Sequence, residues 1–236
     1  MVAVSARSLR DRLAAGEDLV GTFLNLGSPL AAEVCAGAGF DWCLIDLEHG
    51  AGTETQLIPT LQALGATPGL VRIEANERPR FARALDAGAE GVMVPRIESA
   101  DEVHAAVSYM RYPPRGLRGV AYMNRGASFG LGAPEADALC VIQIESAGAV
   151  ADAREIAAID GVDVLFVGPR DLSAALGSDE LPLDTVLEAA RAEGKAAGIL
   201  VRSRNELERE LERGFRFVGI GSDSLFLAEG ARAAAR

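Results

Sequence analysis

The chain is short of the side chains on which covalent catalysis usually runs. Its 236 residues hold one lysine, Lys195, two histidines, His49 and His104, and three cysteines, Cys35, Cys43 and Cys140. Three cysteines with no CxxC pair exclude a disulfide scaffold, and all lie in apolar stretches, as reduced core thiols of a cytoplasmic protein would. Aromatic residues make up 5%, which leaves few platforms for stacking a sugar. A formal net charge of -11 gains little from counterion release, so nucleic acid is not an expected partner. No apolar run is long enough to cross a bilayer, and Met1–Arg12 has no apolar core of a secretory signal, so no membrane partner is expected. There is no GxGxxG after the first strand pattern and no GxxxxGK[ST], which removes the usual dinucleotide and nucleotide loops.

What is present is a rhythm. Short apolar runs read as strands at Leu19–Asn25, Trp42–Glu48, Gly69–Glu74, Gly91–Ile97, Leu139–Glu145, Val162–Gly168, Ala196–Val201 and Phe215–Gly221. Their centres are continuously apolar, as parallel strands covered on both faces must be. Helical patterns lie between them, opened at Ser28-Pro29, Arg78-Pro79 and Ser99, and closed by glycines such as Gly88 and Gly214. Eight βα units in this length predict a single-domain (β/α)8 TIM barrel over residues 1–236. Two connections are long, Arg111–Asp137 and Pro169–Leu183, and long loops in a compact barrel are more often functional than idle.

In such a barrel chemistry gathers at the carboxyl ends of the strands. The second strand runs out through Asp46, Glu48 and His49, the third through Arg72, the fifth through Gln143 and Glu145, and the sixth through Gly168, Pro169, Arg170 and Asp171. Neighbouring strands lie about 4.8 Å apart, so Glu145 and Asp171 can share one Mg²⁺ or Mn²⁺ with open positions for substrate oxygens. The competing account makes both acids helix caps. His49 is the one histidine at a strand exit, suited to general-base work beside Asp46 or Glu48, or simply a loop residue; His104 falls mid-helix. Arg72 in the apolar "GLVRIE" is either half of an ion pair or a guanidinium aimed at negative charge developing on substrate. An imine-forming aldolase needs a lysine at the open face, and Lys195 precedes its strand at the closed face. That disfavours the imine route, and pyridoxal phosphate with it; a metal ion is the expected electron sink.

The stretches "AGAGFDWCLIDLEHG", "VRIE", "DAGAEGVMVPRIESADE", "YPPRGLRGV", "VIQIES" and "VGPRDLS" resemble, in order, the HpcH/HpaI family of metal-dependent aldolases, which also includes relatives of the citrate lyase β subunit. The resemblance implies a class II 2-oxo-acid aldolase: Glu145 and Asp171 as ligands of Mg²⁺ or Mn²⁺, with Co²⁺ a further option, and His49 as base, held by Asp46. Arg72 would act on the enolate oxygen. It implies Gln143 near the metal, substrate held at Gly168, Pro169, Arg170 and Asp171, and Leu200 beside the pyruvate methyl. Asp86 is similar to an acid that reaches across a subunit interface, and a homo-oligomer, trimer or hexamer, is expected. Small 2-oxo acids and aldehydes would be the partners. The stretch after Tyr112-Pro113-Pro114, through Asn124 and Gly126 to Gly130, departs from the family pattern in a loop that helps shape the aldehyde site. Rival readings are a CoA-thioester lyase of citrate lyase β type, an oxaloacetate decarboxylase on the same site, and a catalytically silent binding barrel.

Overall fold

A computed structural model describes residues 7–131 and 138–235; the first six residues and the end of the Arg111–Asp137 connection lie outside the described residues. After helix α1 (Leu9–Ala14), strand β1 (Leu19–Leu24) is followed by α2 (Pro29–Gly37), β2 (Trp42–Asp46), α3 (Glu54–Ala63), β3 (Gly69–Arg72), α4 (Arg78–Asp86) and β4 (Gly91–Val94). Then come α5 (Ala100–Met110), β5 (Leu139–Ile144), α6 (Ala147–Ala151), α7 (Ala153–Ala158), β6 (Val164–Val167), α8 (Pro169–Leu176) and α9 (Leu183–Ala192). The chain closes with β7 (Ala196–Val201), α10 (Arg204–Arg213), β8 (Phe217–Ser222) and α11 (Asp223–Ala234). Each strand pairs in parallel with the next and β8 returns to β1, giving a closed barrel in sequence order.

The expected strands are all present, but several stop early. β4 ends at Val94 rather than Ile97. Pro95 has no N–H to give the ladder, and Arg96 turns left-handed at φ 57°. Helix starts follow the sequence signals: Ser28 caps α2 by accepting from the Ala31 amide ahead of Pro29, and Gly214 ends α10 at φ 117°. His104 is exposed on α5.

Alternation along the strands divides the apolar residues into two cores. Leu19, Trp42, Leu44, Leu70, Met93, Val141, Phe166 and Phe217 fill the barrel interior. Cys43, Ile45, Val71, Val92, Cys140 and Ile142 face outward onto the helices. The three cysteines are free and buried, and burial pushes the Cys43 thiol up to about 12 and raises Cys140 as well, so they are inert core residues. Inside, the Trp42 ring stacks on Phe217 at 4.3 Å between centroids. That fit needs a gap in β1: a Cβ on Gly21 would collide with the indole ring of Trp42.

Strands run from one rim to the other and the helices run back. Segments that follow a strand therefore lie at the carboxyl rim, and those that precede one lie at the amino rim. The described part of the Arg111–Asp137 connection, residues 111–131, follows α5 and precedes β5 and so belongs to the amino rim.

Gly21→Ala is expected to cost about 1–3 kcal/mol through overpacking against Trp42, read as a lower urea midpoint with an unchanged slope.

Candidate active site

At the carboxyl rim a cavity of about 960 Å³ opens, and His49, Arg72, Gln143, Gly168, Pro169, Arg170, Asp171 and Leu200 all line it. Phe23 and Asn25 from the exit of β1 complete its inner wall. Asp46 and Glu145, 1% and 8% exposed, sit behind that lining.

The register of β2 on β3 sets Asp46 opposite Arg72. Arg72 donates from Nε to Asp46 Oδ1 at 2.9 Å and from Nη2 to Oδ2 at 2.7 Å, a two-pronged bond between buried groups. Burial works against the charged guanidinium. The hydrogen bonds and attraction of Asp46, with further attraction from Glu48 and Glu145, outweigh it and raise the Arg72 pKa. The guanidinium also lies 5.4 Å from the Phe23 ring centroid. Arg72 is thus an ion-pair member and a cavity-facing cation at once. Asp46 has further donors: Asn25 Nδ2 at 2.9 Å and the backbone amides of Glu48 and His49 at 3.1 and 3.2 Å.

Asp46 therefore holds the backbone of His49, while the acid beside the imidazole is Glu48, whose Oε2 is 3.7 Å from His49 Nε2. Asp46 meets Arg72 through both oxygens and the loop backbone through Oδ1. Glu48 Oε2 is also 3.2 Å from Arg72 Nη1, and its Oε1 accepts from Arg96 Nε at 2.8 Å.

Glu145, just past β5, accepts from the Arg96 amide at 2.6 Å through Oε1 and from Gln143 Nε2 at 2.8 Å through Oε2. The helix-cap account of Glu145 fails, because Ser146 caps α6 by accepting from the Ala149 amide. Burial raises the Glu145 pKa; the Arg96 amide opposes this, and the negative charges of Glu48 and Asp171 add to it. Gln143 Oε1 is buried with no hydrogen-bond partner. Gly168 leaves room beside the acid, where a Cβ would approach Glu145 Oε2 to 2.9 Å. Asp171 stands in the first turn of α8, so the neighbouring Arg170 and Asp171 amides have no intrahelical acceptor. The carboxylates of Glu145 and Asp171 and the unpartnered Gln143 oxygen are oxygen donors of the kind that a hard divalent cation takes. Among the described residues no group of three or more His, Cys, Asp and Glu side chains is arranged to hold a metal.

Residues 19–229 match the model of the HpcH/HpaI aldolase/citrate lyase family. The chain belongs to that family. It is 39% identical, over 97% of its length and 93% of the relative's, to a 4-hydroxy-2-oxo-heptane-1,7-dioate aldolase of Salmonella arizonae. A crystal structure of an HpcH/HpaI aldolase/citrate lyase family protein from Burkholderia cenocepacia is similar at TM-score 0.91 and 38% identity, covering 96% of this chain and 97% of that one. A citrate lyase β subunit from M. tuberculosis is more distant, at TM-score 0.59 and 24% identity over 91% of this chain and 95% of its own, a likeness of fold alone.

Two features of this HpcH/HpaI chain lie away from its own cavity. Asp86 ends α4 at the amino rim, where its Oδ1 accepts from Arg118 Nη2 at 2.9 Å, so it is remote from the chain's own cavity. The atypical Gly119–Gly130 loop lies at that same rim and cannot shape this chain's own cavity either. Sequence reasoning also assigned no role to Phe23, Asn25 or Arg96. Only Arg96 carried a signal, a charge directly after the proline that stops β4.

In the chelated protein, the raised Glu145 pKa adds stability below the usual carboxylate range that is lost as pH rises. Glu145→Gln should therefore melt higher than wild type at neutral pH, and the gap should close toward pH about 4.5; a gap constant across pH would contradict the burial account.

Proposed function

We propose that this chain is a divalent-metal-dependent aldolase that cleaves and forms 4-hydroxy-2-oxo acids, with pyruvate or a related 2-oxo acid and an aldehyde as partners. The supporting observation is that Arg72, Asp171 and Gln143 line one cavity, with Glu145 buried behind it against Gln143, whose own amide oxygen is unpartnered. The family is generally dependent on divalent metals. Here Glu145 and Asp171 would hold Mg²⁺, Mn²⁺ or Co²⁺, with Gln143 beside them, and the cation when bound supplies Lewis-acid polarisation of the 2-oxo group.

The chain's own residues perform the rest. Arg170 and Asp171 offer backbone amides to the substrate carboxylate, with Gly168 and Pro169 shaping the turn that presents them. Arg72, fixed by Asp46, donates to the 2-oxo oxygen as negative charge grows there. His49, directly or through a water, takes the proton of the 4-hydroxyl. The C3–C4 bond breaks, its electron pair passes to C3 and the 2-oxo oxygen, and an aldehyde leaves the enolate of pyruvate. Leu200 and Phe23 give the methyl end an apolar wall. The reverse sequence is aldol synthesis.

The separation from the citrate lyase β subunit supports this reading over the thioester lyase. A decarboxylase on the same site is distinguished by the products formed from oxaloacetate, and a silent barrel by the lack of exchange at pyruvate. With Mn²⁺ restored to the stripped protein, pyruvate in D₂O should gain methyl deuterium. Arg72→Ala or Asp171→Ala should cut cleavage at least ~100-fold with an unchanged circular dichroism spectrum; normal turnover in either variant would refute the assignment.

The position of Asp86, with exposed Leu117, Val120, Tyr122, Met123, Phe129 and Leu131 on the neighbouring connection, supports a homo-oligomer, trimer or hexamer, in which the amino rim of one copy serves the cavity of another. Asp86→Ala and Asp171→Ala proteins, each impaired alone, should then recover activity when their subunits are mixed. Failure to complement, with mixed oligomers confirmed by mass, would place Asp86 outside the chemistry.

A further inference from the structure

Three non-glycine residues among those described have a positive φ, and one of them, Arg96, stands at the carboxyl rim between β4 and the candidate site. Glycine would take φ 57° without a steric penalty, whereas an arginine there is strained. Half of its work is done by the backbone. The register Val94↔Ile142 sets the end of β4 two residues short of the end of β5 at Ile144, and the left-handed turn aims the Arg96 N–H at Glu145 Oε1, 2.6 Å away. The other half is done by the guanidinium. It is 65% exposed, yet its Nε reaches Glu48 Oε1 at 2.8 Å, on a side chain only 3% exposed. The second oxygen of Glu48 meets Arg72 Nη1 at 3.2 Å and faces His49 Nε2 at 3.7 Å.

Without the bond to Glu48, nothing in the side chain would hold residue 96 in a strained turn. Without the turn, the amide would leave Glu145. The two contacts therefore maintain each other.

We propose that Arg96 is a positioning residue with two separable actions: its amide orients Glu145 toward the cation, and its guanidinium sets Glu48, and through Glu48 the cavity-facing Arg72 and His49. This rests on the reading of the site as a metal-dependent aldolase.

Substitution can divide the two actions. Arg96→Gly keeps the positive φ and the amide but loses the guanidinium; kcat should fall ~10-fold while calorimetric Mn²⁺ affinity is retained. Arg96→Ala loses the anchor and disfavours the turn, so Mn²⁺ affinity should also weaken, by about 10-fold. Arg96→Lys, which restores a cation near Glu48, should recover part of the kcat that the glycine variant loses. A merely structural role predicts that melting temperature, kcat and Mn²⁺ affinity fall together in all three variants, and that result overturns the proposal. So does wild-type Mn²⁺ affinity in Arg96→Ala, or wild-type kcat in Arg96→Gly. If Arg96→Ala fails to fold, the contrast of glycine with lysine still decides. A wild-type protein that binds no Mn²⁺ would instead bring down the aldolase reading itself.

Discussion

The buried pair of Arg72 and Asp46 is the constraint around which the carboxyl rim is arranged. A guanidinium 7% exposed at a strand end loses most of its hydration, and a lone charge there would be costly. Asp46 compensates with both oxygens, which binds β2 to β3 just where their ladder ends. Having given both oxygens to Arg72, Asp46 still accepts from Asn25 Nδ2 and from two backbone amides of the following loop. One carboxylate thus fixes the exit of β1, the side chain from β3 and the turn that carries His49.

The pair also explains the division of labour among the acids. Asp46 is paired with Arg72 and reaches His49 through its backbone amide. Glu48 stands beside the imidazole and is itself spanned by Arg72 and Arg96. Glu145 is a buried acid held not by a cation but by an amide hydrogen and a neutral glutamine. Burial and repulsion from Glu48 and Asp171 raise its pKa. An acid so destabilised by burial beside an unpartnered amide oxygen is what the proposed role of Glu145 as a cation ligand rests on.

The barrel interior and the two rims are coupled by size. Trp42, Phe166 and Phe217 occupy the interior because Gly21 and Gly198 leave space on neighbouring strands; a Cβ on Gly198 would come within 2.5 Å of Phe166 Cδ2. Phe23, packed at 6.1 Å from Phe166 between centroids, is the top of that stack and the surface under Arg72. The packing that closes the barrel thereby also floors the cavity.

Much of this was legible in the order of residues. Continuously apolar runs and glycine stops specify parallel βα units, because period and punctuation are local properties. Strand ends could be located to within a few residues, so Asp46, His49, Arg72, Glu145 and Asp171 could be placed at one rim, and Lys195 at the other, before any coordinates. The choice of partners was not legible. Whether Arg72 pairs with Asp46 or another acid, and whether His49 faces Asp46 or Glu48, depends on register and on angles of a few tens of degrees at strand ends. The turn at Arg96 follows from closure of the whole barrel, whereas the amino-rim location of the 111–131 segment follows from its place between a helix and the next strand. Local sequence carries which groups are available; only the closed sheet, with its fixed register, determines which of them meet.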